Sequence, residues 1–257
     1  MSEPRSIRHA DLLLPREHGS WSIVLEPVAL GLLAAPSAAG AALAVAALAL
    51  FLTRRPLRLW YDGRNDTARR RTAAHVALAL SGIATTAILA AGWRGGFVAL
   101  WPLLLTLPAA AAFVIFDLQG EARAAAAELA GTMAFALLPL TFGTLAGLPL
   151  ATAAGLATAM LVRLGPTVLV VRAYLHRQKG QPASPRLALG ASLAGAALAA
   201  GLAAFRIAPL ATMPLALLLL VRAAWLLGPR APRLRAPQLG ALESGLGAVF
   251  VLALAFS

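Results

Sequence analysis

An all-α polytopic membrane bundle of nine transmembrane helices is the fold class this sequence predicts, on three observations. Of its 257 residues 60% are hydrophobic and only 12% charged, and the mean hydropathy is +0.79, a composition that marks an integral membrane protein. Apolar runs close to the ~20 residues that cross a bilayer recur from end to end. The connectors between them alternate between short, nearly uncharged ones and longer, strongly basic ones.

The spans fall near 19–35, 38–53, 73–91, 97–115, 129–147, 151–171, 187–205, 208–227 and 239–256. The first follows a charged preface and is read as a retained span. Residues 1–18 hold three acids against three arginines, and Glu26 and Pro27 interrupt any signal-peptide core. Pro36-Ser37 separates it from the second span, which stops at Arg54-Arg55. The third runs from Arg69-Arg70-Arg71 to the glycine-rich turn 92–96, and the fourth from there to Asp117. The fifth lies between Glu128 and Gly147, the sixth between Pro149 and Arg172. The seventh follows Pro185-Arg186 and ends at Arg206; the eighth ends at Gly228-Pro229, and the ninth follows the basic segment 230–235.

Charge orients this array. Eighteen of the 22 Lys and Arg residues lie in the N-terminus and the connectors after even-numbered spans. Only Arg94 and Arg206 lie on the other side, and Arg163 and Arg222 fall within spans. The positive-inside rule places the N-terminus in the cytoplasm and, with an odd span count, the C-terminus outside. The formal charge of +12 is therefore topological, and nucleic acid is not an expected partner. With no cysteine, disulfides and thiolate metal sites are excluded. Gly and Ala dominate the spans, as in 191–204, where small residues let helices approach closely. Prolines 27, 102, 108, 139, 166, 209 and 214 lie in or at the ends of spans, where neighbouring groups re-satisfy the freed backbone.

The polar residues gather near the basic ends of the spans. Arg16, Glu17 and His18 precede the first span and Glu26 lies inside it. A carboxylate at that depth needs a partner or a wet cavity and marks a functional site facing the bundle interior. His18 beside Glu17 suits a proton relay or an interfacial collar with Trp21. Asp62 and Asp66, four residues apart, share a face if the segment is helical, and with Asn65 they offer oxygen ligands for Mg²⁺. The same segment also reads as a basic loop touching anionic headgroups. Glu121 and Glu128, two helical turns apart, are expected on one face. Arg163 lies within the sixth span, with Glu26 or Glu128 as expected partners. Arg172, Tyr174, Arg177 and Lys179 follow it as a candidate anion clamp. Arg222, near a span end, is expected to snorkel to the surface.

The segment Pro15 to Trp21, the stretch Glu121 to Gly131 and the run Val170 to Gly180 together resemble the YwiC-like family of bacterial membrane proteins. That resemblance implies a multi-pass protein of the bacterial cytoplasmic membrane. More distantly, nine spans with polar connectors after the second and sixth are similar to the UbiA superfamily of intramembrane prenyltransferases. That likeness implies Mg²⁺-diphosphate chemistry, with Asn65-Asp66 matching the opening of the first Asp-rich motif and an isoprenoid or other anionic lipid-like substrate. The second acidic motif has no counterpart, since 172–186 contains no acid.

Two functions follow as expectations. A divergent lipid or prenyl transferase uses Asp62, Asn65 and Asp66 for Mg²⁺, Arg172, Arg177 and Lys179 for diphosphate, and Glu26 or Glu128 to polarise the acceptor. A transporter or small-molecule binding protein uses Glu26, His18, Glu128 and Arg163 as a proton-coupled or anion-coordinating site.

Overall fold

The computed structural model describes residues 19–62, 66–121 and 124–257. Among these the chain is helical: α1 (Gly19–Ala34), α2 (Ala38–Tyr61), α3 (Thr67–Gly95), a 3₁₀ turn (Phe97–Leu100), α4 (Leu103–Leu118), α5 (Ala125–Ala136), α6 (Leu138–Leu145), α7 (Leu150–Gln178), α8 (Pro185–Ala204), α9 (Thr212–Leu227) and α10 (Ala236–Ala255). The 3₁₀ turn leads into α4, and α5 and α6 form one apolar run broken at Leu137, just before Pro139. The described residues thus form nine apolar segments, matching the expected spans. Seven are long and apolar enough to cross a membrane. The other two, α1 and α9, show 16 helical residues each, about 24 Å at 1.5 Å per residue.

Several helices outrun their expected spans, because hydropathy marks only where a segment stops being apolar and the helix runs on into its polar end. Ser37 caps α2, its hydroxyl accepting the Gly40 N–H at 2.9 Å, and α2 runs eight residues past the expected end at 53. α7 reaches Gln178, seven residues past its expected end, and at 29 residues measures about 43 Å. Asp62 ends α2 and Asp66 caps α3, accepting the Arg69 N–H at 2.6 Å. The two carboxylates therefore belong to the ends of two different helices, and the shared helical face expected for them does not form. The same correction holds for Glu121, which lies in the turn after α4, while Glu128 is in the first turn of α5.

α7 is the central element, packing against α1, α5, α6, α8, α9 and α10. One apolar cluster joins α1, α2 and α6 through Val24, Val28, Leu43, Phe51 and Phe142; a second joins α1, α7, α9 and α10 through Leu30, Met160, Leu164, Leu219 and Phe250. Small residues set the approach distances. A Cβ on Gly31 would overlap the Phe142 ring, and one on Gly155 would overlap the carbonyl of Ile207. Buried hydroxyls bond back along their own helices, Thr53 to the Ala49 carbonyl at 2.8 Å and Ser192 to that of Ala188 at 2.9 Å. Neither then needs water or a partner in an apolar medium. Leu78, Trp93, Val98 and Leu104 are among many large apolar side chains left exposed, as lipid contact requires.

Candidate functional site

Arg163 lies in the middle of α7 between the buried Val162 and Leu164 and is itself 1% exposed. An arginine there needs every donor answered. Its Nη1 donates to the Thr167 hydroxyl at 2.7 Å and to Glu243 Oε2 at 3.4 Å. Its Nη2 donates to the Glu243 carbonyl at 2.8 Å and to Glu26 Oε1 at 3.3 Å. Its Nε lies 3.3 Å from Glu26 Oε2, an ion-pair distance without hydrogen-bond geometry. Thr167 in turn donates to the Arg163 carbonyl at 2.6 Å, one turn along a helix in which Pro166 supplies no backbone donor.

Glu243 on α10 carries a second arginine. Arg222 of α9 donates through Nε to Glu243 Oε1 at 2.8 Å and through Nη2 to the same oxygen. Arg222 is 6% exposed. The surface snorkelling expected of it does not occur, because α9 turns this face toward α7 and α10. Four side chains from four helices, Glu26, Arg163, Glu243 and Arg222, thus form one chain of alternating charge that is formally neutral. Gly247, one turn beyond Glu243, lets α10 approach α1 so closely that a Cβ there would overlap the Glu26 carboxylate.

Glu128, the other expected partner of Arg163, binds Arg172 instead. Arg172 Nη1 donates to Glu128 Oε2 at 3.2 Å, and both side chains are partly exposed, at 27% and 35%. The nine residues from Arg163 to Arg172 place this pair about 13 Å along α7. Screening by solvent makes it weaker than the buried set.

Farther along α7, Tyr174 is buried and its hydroxyl donates to the Pro232 carbonyl at 2.5 Å and accepts the Leu234 N–H at 2.8 Å. Arg177 Nη1 donates to the Leu227 carbonyl at 2.7 Å, capping α9. Lys179 lies exposed at the end of α7. The sequence reading gave no role to the buried Asp117 of α4, which accepts from Arg54 Nε of α2 at 3.2 Å, while Arg58 approaches at 3.7 Å and Arg54 stacks 4.7 Å from the Phe113 ring centre. Arg16, Glu17, His18 and Asn65 lie outside the described residues. Among the described residues no three His, Asp or Glu side chains are grouped to hold a metal ion, and Asp66 is engaged as a helix cap.

Glu243 was missed in the sequence, although it carries the same signature as Glu26, an acid inside an apolar run. Arg222 carried none that separates it from a snorkelling arginine. No curated protein and no solved structure matches the chain. A family model described as YwiC-like protein matches residues 14–142, half of the sequence, and the chain, a multi-pass helical membrane protein, belongs to the YwiC-like family.

Proposed function

We propose that the protein is a membrane carrier that takes up a small anion together with a proton, with Glu26, Arg163, Glu243 and Arg222 as its site. The observation that carries this reading is Arg163: buried in the interior of the bundle and shared by carboxylates from two other helices. Such an intramembrane network is costly to desolvate and is retained where charge is handled.

The chemistry follows from charge balance. With both acids ionised the four groups sum to zero. A proton on Glu26 or Glu243 leaves one positive charge in a medium that does not tolerate it. A small anion on Arg163 restores neutrality. Proton and anion therefore bind best together, which is the requirement for coupled movement. Arg172 and Glu128 lie on the way from the Arg-rich ends of the helices, and we place those ends at the cytoplasmic face of a bacterial cytoplasmic membrane by the positive-inside rule.

Proteoliposomes with an internal pH dye test this against a panel of inorganic and small carboxylate anions. The expected result is anion-dependent proton uptake in the native chain, reduced at least about tenfold in Glu26→Gln and in Arg163→Gln variants that remain monodisperse, an order of magnitude suited to losing a buried charge partner. Uptake no faster than in protein-free liposomes for every anion, or undiminished in Glu26→Gln, would remove the proposal. The transferase suggested by the distant UbiA likeness makes a different demand: Mg²⁺ at Asp62, Asn65 and Asp66, and release of diphosphate from a prenyl diphosphate. The same preparation is assayed for that release.

A further inference from the structure

Between Glu128 and Glu243 the sequence contains no acidic residue at all, yet it holds ten arginines and lysines. Glu243 is engaged by Arg163 and Arg222 and Glu128 by Arg172. Among the described residues the remaining cations of this half have no carboxylate of their own, and three of them line one pocket. It has a volume of about 780 Å³ and lies where the end of α7 meets the connector from α9 to α10. Tyr174 and Leu226, both fully or almost fully buried, line it on the bundle side. Arg177, Arg233 and Arg235, all exposed, line its outer part.

The pocket is a built feature of the fold. The Tyr174 hydroxyl ties down the connector at Pro232 and Leu234, and Gln178 Nε2 donates to the same hydroxyl at 2.5 Å and to the Leu234 carbonyl at 3.2 Å. Prolines 229 and 232 stiffen the connector further. Arg177 is held across it by the α9 carbonyls of Leu227 and, at 3.3 Å, Gly228. Among the described residues neither Arg233 nor Arg235 has an acidic partner.

We infer that this pocket binds a phosphate group, in the form of the headgroup of an anionic phospholipid. Arginines carrying several donors each match phosphate oxygens in paired geometry. Leu226, Leu234 and Ala231 beside them suit the glycerol and first acyl carbons of a lipid better than a free ion. Basic pockets at the ends of membrane helices recognise anionic headgroups by this combination. The inference does not depend on the carrier reading, since none of these residues belongs to the buried network.

The test uses the full chain, purified in detergent and delipidated, titrated with short-chain phosphatidylglycerol, with phosphatidylcholine of the same chain length and with inorganic phosphate, following thermal stability. Phosphatidylglycerol is expected to stabilise saturably and phosphatidylcholine not to. Joint Arg233→Gln and Arg235→Gln substitution is expected to weaken the response roughly 30-fold, from the usual contribution of a basic residue near an anionic surface, and the corresponding double lysine variant to fall between the two, since lysine keeps the charge and loses the paired donors. Stabilisation by inorganic phosphate with the same dependence on Arg233 and Arg235 supports the phosphate site and moves its source from lipid to solution. Stabilisation by neither ligand, equal stabilisation by the two lipids, or a response unchanged in the double glutamine variant overturns the inference. If that variant does not purify as a single species, Arg233→Gln alone is titrated against the same criteria.

Discussion

Arg163 and Glu26 show what a single charged residue in an apolar run reveals and what it withholds. Each is conspicuous in sequence, because a charge at membrane depth has few explanations. Their contact is also expected, since a buried arginine needs a carboxylate. The second carboxylate and the second arginine are less legible: which acid reaches Arg163 depends on which helices touch it, and that is a property of the bundle. Gly247 is a sharper case, one glycine among 22 in the sequence. Only the packing shows that a Cβ there would collide with the Glu26 carboxylate. Gly247→Ala is expected to destabilise the protein by about 1–3 kcal/mol, the usual range for overpacking a close contact. The cost should shrink in a Glu26→Ala background, where the colliding group is gone. A double-mutant cycle by thermal or denaturant unfolding measures this coupling; additive effects would show that Gly247 does not abut Glu26.

At the scale of elements, α7 organises the charged groups. Its length carries Arg163 in the interior, Arg172 about 13 Å farther on, and Tyr174 and Arg177 at the end, so three distinct environments lie along one helix. The expected span 151–171 captured the apolar part of α7 and left its last seven residues in a connector. Hydropathy detects where lipid contact ends; helix propensity and caps decide where the helix ends. The same distinction explains why Asp62 ends one helix and Asp66 caps the next. Tyr174 is the fastening of the α9 to α10 connector, and Tyr174→Phe removes the hydroxyl that serves both Pro232 and Leu234. The expected cost is about 1–3 kcal/mol, because a buried donor and acceptor lose their partner. Faster amide exchange in 229–235 with unchanged exchange around Arg163 is the expected signature; unchanged exchange in the connector would show that Tyr174 does not hold it.

For the whole molecule, the nine apolar segments and their basic ends define a topology that cysteine labelling can read directly, since the native chain has no cysteine. Arg94→Cys at the end of α3 and Arg206→Cys in the turn after α8, both exposed, are expected to react with a membrane-impermeant maleimide from outside intact cells, and Lys179→Cys only after permeabilisation. The reverse pattern would invert the proposed orientation and the direction assigned to the carrier.

The sequence by itself determined the all-helical membrane class, the number of apolar segments, the YwiC-like membership and the presence of charge inside the spans. Composition and hydropathy are sums over local residues, and the bilayer converts them into helices with little freedom. Tertiary structure alone decided the partners: Arg163 with Glu26 and Glu243, Arg222 with Glu243, Arg172 with Glu128, and Arg54 with Asp117. These contacts join residues between 21 and 137 positions apart. Side-chain geometry across helices, set by small residues such as Gly247 and Gly155, selects one pairing from several that satisfy charge balance equally well.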